Sequence, residues 1–220
     1  MKLEMEHICK EYTQGDTIIH ALRDVDLTIE SGEFLSITGQ SGSGKSTLMN
    51  ILGCLDVPTS GIYRIGGKEV NSMPPAALAA FRSRTIGFIF QNFCLIPDLD
   101  ALENVELPLR YQGIPKRERH RMAEEALERV GLSHRLHHRP SQMSGGQQQR
   151  TAIARAIAAR PSVILADEPT GNLDRASGEG IMSILQELHQ EGKSVVLITH
   201  DDKIAKTAER HLDIRDGIVN

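Results

Sequence analysis

The chain has 220 residues, 40% of them hydrophobic, enough for one well-cored domain or a domain with an insert. A net charge of −4 and a pI near 6.1 remove bulk positive charge as a route to nucleic acid. No apolar run approaches the roughly 20 residues needed to cross a bilayer, and the opening "MKLEMEHICKEY" alternates rather than forming a secretory apolar segment. No signal peptide is expected, and work at a membrane would need another chain to hold this one there.

Residues 2–12 and 19–29 alternate apolar and polar, as half-buried strands do. The turn Ser31-Gly32-Glu33 leads to a strand at 34–38, a glycine-rich loop, and a helix from about 45 to 55. A turn at 57–61 precedes a short strand at 62–65, and Gly66-Gly67 suits a tight hairpin. Pro74-Pro75 opens a short helix to about 84, followed by a buried strand at 85–90. From 92 to 159 the pattern is mainly helical. Asp100 and Glu103 form the ends of a capping box, 116–130 is charged and amphipathic, and 147–159 is rich in Ala and Gln. Strands return at 163–166 and 195–199 around a helix near 174–191, and "HLDIRDGIVN" closes as a hairpin. Strands alternating with helices predict an α/β sheet. We read a single domain, 1–91 with 160–220 as its core and 92–159 as an inserted helical subdomain. Cys9, Cys54 and Cys94 show no C-x-x-C pairing and read as reduced, buried thiols of a cytoplasmic protein. His137-His138 reads as a solvated loop, and the basic run at 115–121 as an exposed helix face.

Three stretches carry chemistry. "GQSGSGKST" (Gly39, Gln40, Ser41, Gly42, Ser43, Gly44, Lys45, Ser46, Thr47) fits G-x-x-x-x-G-K-[ST]. Its glycines let successive N–H groups turn inward onto phosphate oxygens, and the following helix adds its positive end. Lys45 can reach the β- and γ-phosphates, and the Ser46 hydroxyl can ligate Mg²⁺. The alternative is an ordinary Gly/Ser turn, which the strand before and the helix after disfavour. "VILADEP" ends a strand in two carboxylates. Asp167 is placed to hold Mg²⁺ through water, and Glu168, pointing elsewhere, to polarise an attacking water. Taken alone, an exposed strand end explains that pair equally well. "SQMSGGQQQR" is a second cradle: the amides of Ser144 and Gly146 before a helix N-terminus. Two cradles in one chain suggest two copies head to tail, each Ser144-Gly145-Gly146-Gln147 capping the nucleotide held by the other copy's Lys45. For S-G-G alone, a glycine turn with a helix N-cap is the better explanation.

In order and spacing, the phosphate loop, "MSGGQ", "ILADEP" and "ITHD" resemble the ATP-binding subunit of ABC transporters over essentially the full length. Met143 stands where that family usually has leucine, a small apolar change. The resemblance implies a P-loop NTPase (RecA-like) core sheet with an N-terminal antiparallel β subdomain and an inserted α-helical subdomain, and a chain that hydrolyses ATP with Mg²⁺. It also implies that Tyr12 stacks on adenine and that Gln91 touches Mg²⁺ and the attacking water. His200 would contact the γ-phosphate, and Asp174 would sense the partner site. By themselves these are an edge tyrosine, a polar strand end, a structural histidine and a helix N-cap.

"FQNFCLIPDLDALENVELPL" and "PTGNLD" are similar to the MacB/LolD/FtsE-type group. That likeness implies a homodimer on the cytoplasmic side of the inner membrane, working with a permease that has a large extracytoplasmic domain, and no nucleic acid. It implies export or extrusion of lipoproteins, peptides, macrolides or siderophores, with Phe93, Leu95 and Ile96 in a groove for a coupling helix, or equally in the core. Two alternatives stand beside the motor: an FtsE-like force transmitter without cargo, and a DNA-repair or translation ABC protein, whose coiled-coil insert or second ATPase module is not found here. The natural chain is expected to run a few residues past Asn220.

Overall fold

The computed structural model describes all residues from Met1 to Asn220. From the N-terminus the elements are β1 (Leu3–Gln14), β2 (Thr17–Ile29), β3 (Phe34–Thr38), α1 (Lys45–Leu52), β4 (Ser60–Ile65), β5 (Lys68–Glu69), α2 (Pro75–Thr85), β6 (Ile86–Phe90) and α3 (Ala101–Tyr111). There follow α4 (Lys116–Arg129), α5 (Gly145–Ala158), β7 (Val163–Asp167), α6 (Arg175–Gln190), β8 (Ser194–Ile198), α7 (Asp202–Ala205), β9 (Arg210–Arg215) and β10 (Ile218–Val219). They form two compact units, residues 1–82 with 192–220, and residues 83–191.

In the first unit, β2, β1, β4 and β5 make an antiparallel sheet in that order. Leu3, Met5 and Ile8 turn inward from β1, with Tyr12 opposite Ile19 near the far end. Gly66 and Gly67 both adopt left-handed backbone (φ 58° and 75°), as a two-residue hairpin turn between β4 and β5 requires. β3 runs parallel to β8 on one side and β9 on the other, and all five of its residues are buried. A strand covered on both faces reads as a continuous apolar run, which "FLSIT" nearly is. β9 folds back into β10 through Asp216 (φ 48°) and Gly217 (φ 80°). α1 stops at Leu52, three residues before the sequence reading placed its end, because Cys54 takes a left-handed conformation (φ 53°) that no helix continues through.

A bulge interrupts β1 at His7, whose N–H donates to Asp26 Oδ1 at 2.8 Å while Nδ1 lies 2.9 Å from Asp24 Oδ1. The Asp24 carboxylate, with Asp26 behind it, raises the pKa of His7. The folded state therefore holds the imidazolium proton more tightly than the unfolded chain. That contribution is complete below the unfolded pKa of about 6.5 and is lost as pH rises through the higher folded value. The melting temperature is expected to decline slightly on going from pH 6 to pH 8, and His7→Gln to remove that part of the decline. Melting curves across this pH range check it.

In the second unit β6 and β7 pair in parallel, and α3, α4 and α5 pack on one another with α5 against β6. Gly87 allows that contact: a Cβ there would lie 2.6 Å from the Ala156 carbonyl oxygen. The capping box at the start of α3 forms as the sequence predicts. The Glu103 N–H donates to Asp100 Oδ1 at 2.8 Å, and the Asp100 N–H donates to Glu103 Oε2 at 3.0 Å. Buried Asn104 fixes the preceding loop, accepting from the Ile96 N–H and donating to the carbonyls of Ile96, Leu99 and Asp100. The basic run is not wholly a solvated face. Arg119 Nε pairs with Glu106 Oε2 at 2.8 Å, tying α4 to α3.

The expectation of three buried cysteines holds for Cys54 alone, since Cys9 is half-buried and Cys94 exposed. Phe93 and Cys94 are both left-handed (φ 58° and 50°), and Cys94 is exposed on the tight turn they make. No helix is long and apolar enough to cross a membrane.

Candidate functional site

In the first unit, the glycine loop joins β3 to α1 and is held from below by the terminal hairpin. The Gly217 N–H donates to the Ser43 carbonyl at 2.9 Å, and the Arg23 N–H donates to the Gly217 carbonyl at 2.8 Å. The approach leaves no space for side chains. A Cβ on Gly39 would lie 2.4 Å from the Ile214 carbonyl oxygen, and one on Gly44 (φ 108°) would lie 2.6 Å from that of Ala21. Gly44 is the N-cap of α1, so the free N–H groups of that helix's first turn open at the end of the loop. Lys45 Nζ folds back onto the loop, donating to the carbonyls of Gly39 (2.7 Å) and Gln40 (2.6 Å). Gln40, Ser41, Gly42 and Ser46 are exposed, Ser43 is buried and Thr47 half-buried.

A cavity of about 560 Å³ adjoins this loop, bounded by Gly39 to Ser43, His200, Asp202 and the β9–β10 hairpin. Thus His200, far away in sequence, comes to the loop's side. It stands just before α7, which Asp201 caps by accepting from the Lys203 and Ile204 N–H groups. Tyr12, towards the far end of β1, is exposed to 38%.

In the second unit, β7 carries Asp167 at its last position and Glu168 directly after it. Glu168 has φ 45°, a left-handed conformation that costs a side-chain-bearing residue about 1–2 kcal/mol. Such strain at a strand end is where functional side chains are often re-aimed. Gln91 follows β6. Its Nε2 donates to Asn172 Oδ1 at 3.4 Å, and Asn172 Nδ2 donates back to the Gln91 carbonyl at 3.1 Å and to Asn92 Oδ1 at 2.9 Å. Gly171 allows that approach, since a Cβ there would lie 2.8 Å from Gln91 Nε2. Arg155, half-buried and with its pKa lowered by desolvation, donates to the carbonyls of Phe93 and Cys94 and so pins the tight turn. Phe93 and Leu95 are half-buried and Ile96 is exposed.

Ser144 is the N-cap of α5, its Oγ accepting from the Gln147 N–H at 3.3 Å while Gln147 Oε1 accepts from the Ser144 N–H at 3.0 Å. With the Ser144 amide so occupied, the amides that open the helix are those of Gly145 and Gly146. Gly146 lies against Ser177 of α6: a Cβ there would be 2.8 Å from the Ser177 Oγ. That same hydroxyl donates to Asp174 Oδ2 at 2.7 Å, and the Ser177 N–H donates to Asp174 Oδ1 at 3.0 Å. The Ser177 hydroxyl and amide hold the Asp174 carboxyl below the usual range. Gln149 Nε2, buried, donates to the Pro169 carbonyl at 2.7 Å and ties α5 to the segment after Glu168.

The sequence pattern of the family described as "ABC transporter" matches residues 22–171. The chain belongs to the ABC transporter family. Similar relatives include the macrolide export ATP-binding/permease protein MacB of Bradyrhizobium diazoefficiens, 54% identical over 217 residues (99% of this chain and 33% of that protein). A probable export ATP-binding/permease protein of Pseudomonas fluorescens is 54% identical over 215 residues, 98% of this chain and 33% of its own. The chain thus spans about a third of the length of the curated relatives it matches. Among solved structures, the dimeric ATP-binding cassette MJ0796 in a post-hydrolysis state bound to ADP and Pi has a TM-score of 0.92 at 47% identity, covering 99% of this chain and 96% of that one. These likenesses bear out the resemblance to the MacB/LolD/FtsE-type group and the ABC cassette fold, with its α/β core, antiparallel sheet and helices.

Sequence reading did not single out the residues that hold the site's side chains. Asp56 and Lys10 grip Tyr12, Arg155 pins the turn after Gln91, and Ser177 joins Gly146 to Asp174. Asp56 and Arg155 lie far in sequence from the residues they support, Ser177 sits in an ordinary helical context and Lys10 is one polar position of a strand, so no local pattern marks them.

Proposed function

We propose that this chain is an ATP-binding and hydrolysing cassette that powers export or extrusion by an integral membrane permease, through ATP-driven head-to-tail pairing of two copies. The observation that carries the reading is the phosphate loop itself: amides and a helix N-terminus around a lysine that presently donates to the loop's own carbonyls, with His200 on the adjoining cavity. In this reading Tyr12 stacks on the base and Lys45 exchanges the carbonyls of Gly39 and Gln40 for the β- and γ-phosphate oxygens. His200 contacts the γ-phosphate, and Gln40 to Thr47 line the phosphate chain. Glu168 takes the proton from the attacking water, aided by Gln91. Ser46, Asp167 and Gln91 offer hydroxyl, carboxylate and amide oxygens, the hard donors that suit Mg²⁺. Mg²⁺ bound by them would neutralise phosphate charge.

In the proposed dimer, Ser144, Gly145, Gly146 and Gln147 of each copy meet the γ-phosphate held by the other, and Asp174 senses that site. The core is 1–91 with 160–220, and 92–159 is the helical subdomain. The permease carries a large extracytoplasmic domain, the cassette sits on the cytoplasmic side of the inner membrane, and nucleic acid is not a partner. The export role in the names of these relatives supports the motor over a cargo-free regulator.

Replacing exposed Ser144 with Arg tests the pairing. Loss of the N-cap costs about 1 kcal/mol, so the fold persists. Ser144→Arg should bind ATP within about twofold of wild type, because the loop of the same copy is untouched, yet fail to dimerise with ATP. Dimerisation equal to wild type in light scattering would overturn the head-to-tail arrangement.

A further inference from the structure

Tyr12 is held from two directions. Its hydroxyl donates to Asp56 Oδ2 at 2.8 Å, and Lys10 Nζ stands 4.9 Å from its ring centroid. Lys10 and Asp56 also bind each other: Nζ donates to Asp56 Oδ1 at 2.7 Å and to the Val57 carbonyl at 2.8 Å. The Lys10 side chain is only 11% exposed, so the pair is partly shielded from water. The loop carrying Asp56 is itself fixed. The Asp56 N–H donates to the Asn50 carbonyl, the Val57 N–H to Asp56 Oδ1, and the Thr59 N–H to the Cys9 carbonyl. Burial opposes ionisation of Asp56, but Lys10, Tyr12 and the Val57 amide outweigh it and hold the carboxyl below the usual range. A cation against one face of an aromatic ring draws electron density toward itself, which makes the opposite face a better surface for a π-rich base. Two contacts also fix both torsions of the ring before any ligand arrives, removing an ordering cost from binding.

We propose that Asp56 and Lys10 are positioning residues for the nucleotide base: they clamp Tyr12 at its hydroxyl and over one face, leaving the other face open to stack on a purine. This rests on the reading of Tyr12 as the base platform. Neither residue touches the phosphates, so the pair governs base affinity and selectivity while the loop around Lys45 governs the phosphate chain.

The test uses the full chain and two probes, ATP and inorganic triphosphate, which lacks the base. Base stacking on an aromatic typically supports about 1–3 kcal/mol, roughly five- to a hundredfold in affinity. Tyr12→Ala should lose on the order of tenfold or more for ATP, and Asp56→Ala and Lys10→Met about three- to tenfold. All three should leave triphosphate affinity unchanged and narrow the preference for ATP over CTP. Tyr12→Phe removes only the hydroxyl that Asp56 grips, and should reproduce the Asp56→Ala loss without disturbing the Lys10–Asp56 pair. It keeps the test decisive should Asp56→Ala fold poorly. If Tyr12→Ala leaves ATP affinity intact, the platform reading falls and this inference with it. If Tyr12→Ala weakens ATP binding while Asp56→Ala, Lys10→Met and Tyr12→Phe do not, the clamp alone is refuted. Equal losses for ATP and triphosphate in the clamp variants would likewise overturn it, showing a general disturbance of the fold.

Discussion

Glu168→Gln should bind ATP with affinity within a few-fold of wild type, accumulate as an ATP-dependent dimer, and turn over about 10²–10⁴ times more slowly. The substitution keeps the side chain's shape and its ability to accept hydrogen bonds but removes its capacity to take a proton. The backbone makes the experiment unusually clean. Glu168 sits at φ 45°, a conformation that a glutamine tolerates as well as a glutamate does, so the exchange adds no new strain. A companion variant separates catalysis from folding. Glu168→Gly relieves a left-handed cost of about 1–2 kcal/mol and so should be as inactive as the glutamine variant without being less stable. Steady-state phosphate release, light scattering with ATP and thermal melts give the three readouts. Turnover within tenfold of wild type in Glu168→Gln would remove this carboxylate from the role of base.

Lys45→Ala should weaken ATP binding about ten- to a hundredfold and reduce hydrolysis at least as much. Charge-assisted hydrogen bonds contribute about 1.5–3 kcal/mol, and in the proposed site the ammonium is the cation that Gly39 to Thr47 bring to the phosphates. The structure adds a second consequence. Lys45 Nζ now satisfies the carbonyls of Gly39 and Gln40, so the alanine variant leaves both without that donor and loosens the loop in the absence of nucleotide. Faster amide exchange at 40–44 in Lys45→Ala is the expected sign. Lys45→Arg should not rescue, because a planar guanidinium cannot place one compact charge between two carbonyls and then between two phosphate oxygens. Equilibrium binding and hydrogen exchange measure these effects, and unchanged ATPase activity in Lys45→Ala would refute its assignment.

What the sequence revealed and what it hid divide along the range of the interactions. The capping box at Asp100 and Glu103 was readable because donor and acceptor lie three residues apart. The turn at Gly66-Gly67 was readable because φ above zero selects glycine. The terminal hairpin was readable from alternation either side of Asp216-Gly217. The phosphate loop could be recognised because its requirements are local: bare backbone, a strand before it and a helix after. The left-handed conformations of Glu168, Phe93 and Cys94 were not readable, since those residue types do not favour that region and only the surrounding contacts impose it. Nor could the partnership of Tyr12 with Asp56 be read, because 44 residues separate them. The hydroxyl of Ser177 was equally silent, one small polar residue inside an amphipathic helix. The expectation of buried cysteines failed at Cys94 for the same reason: residue type sets an average tendency, and a tight turn decided otherwise.

The Ser177 hydroxyl has a mechanical meaning. It is seated between Gly146, which has no side chain to hold it off, and the carboxylate of Asp174. Any tilt of α5 that presses its leading end toward α6 must either dislodge that oxygen from Asp174 or carry the carboxylate along. The close contact thus couples the two helix ends, so that displacement of one is passed to the other through a single oxygen. A side chain at position 146 would drive that oxygen off its seat, and removing the Ser177 hydroxyl would let the two ends slip past one another.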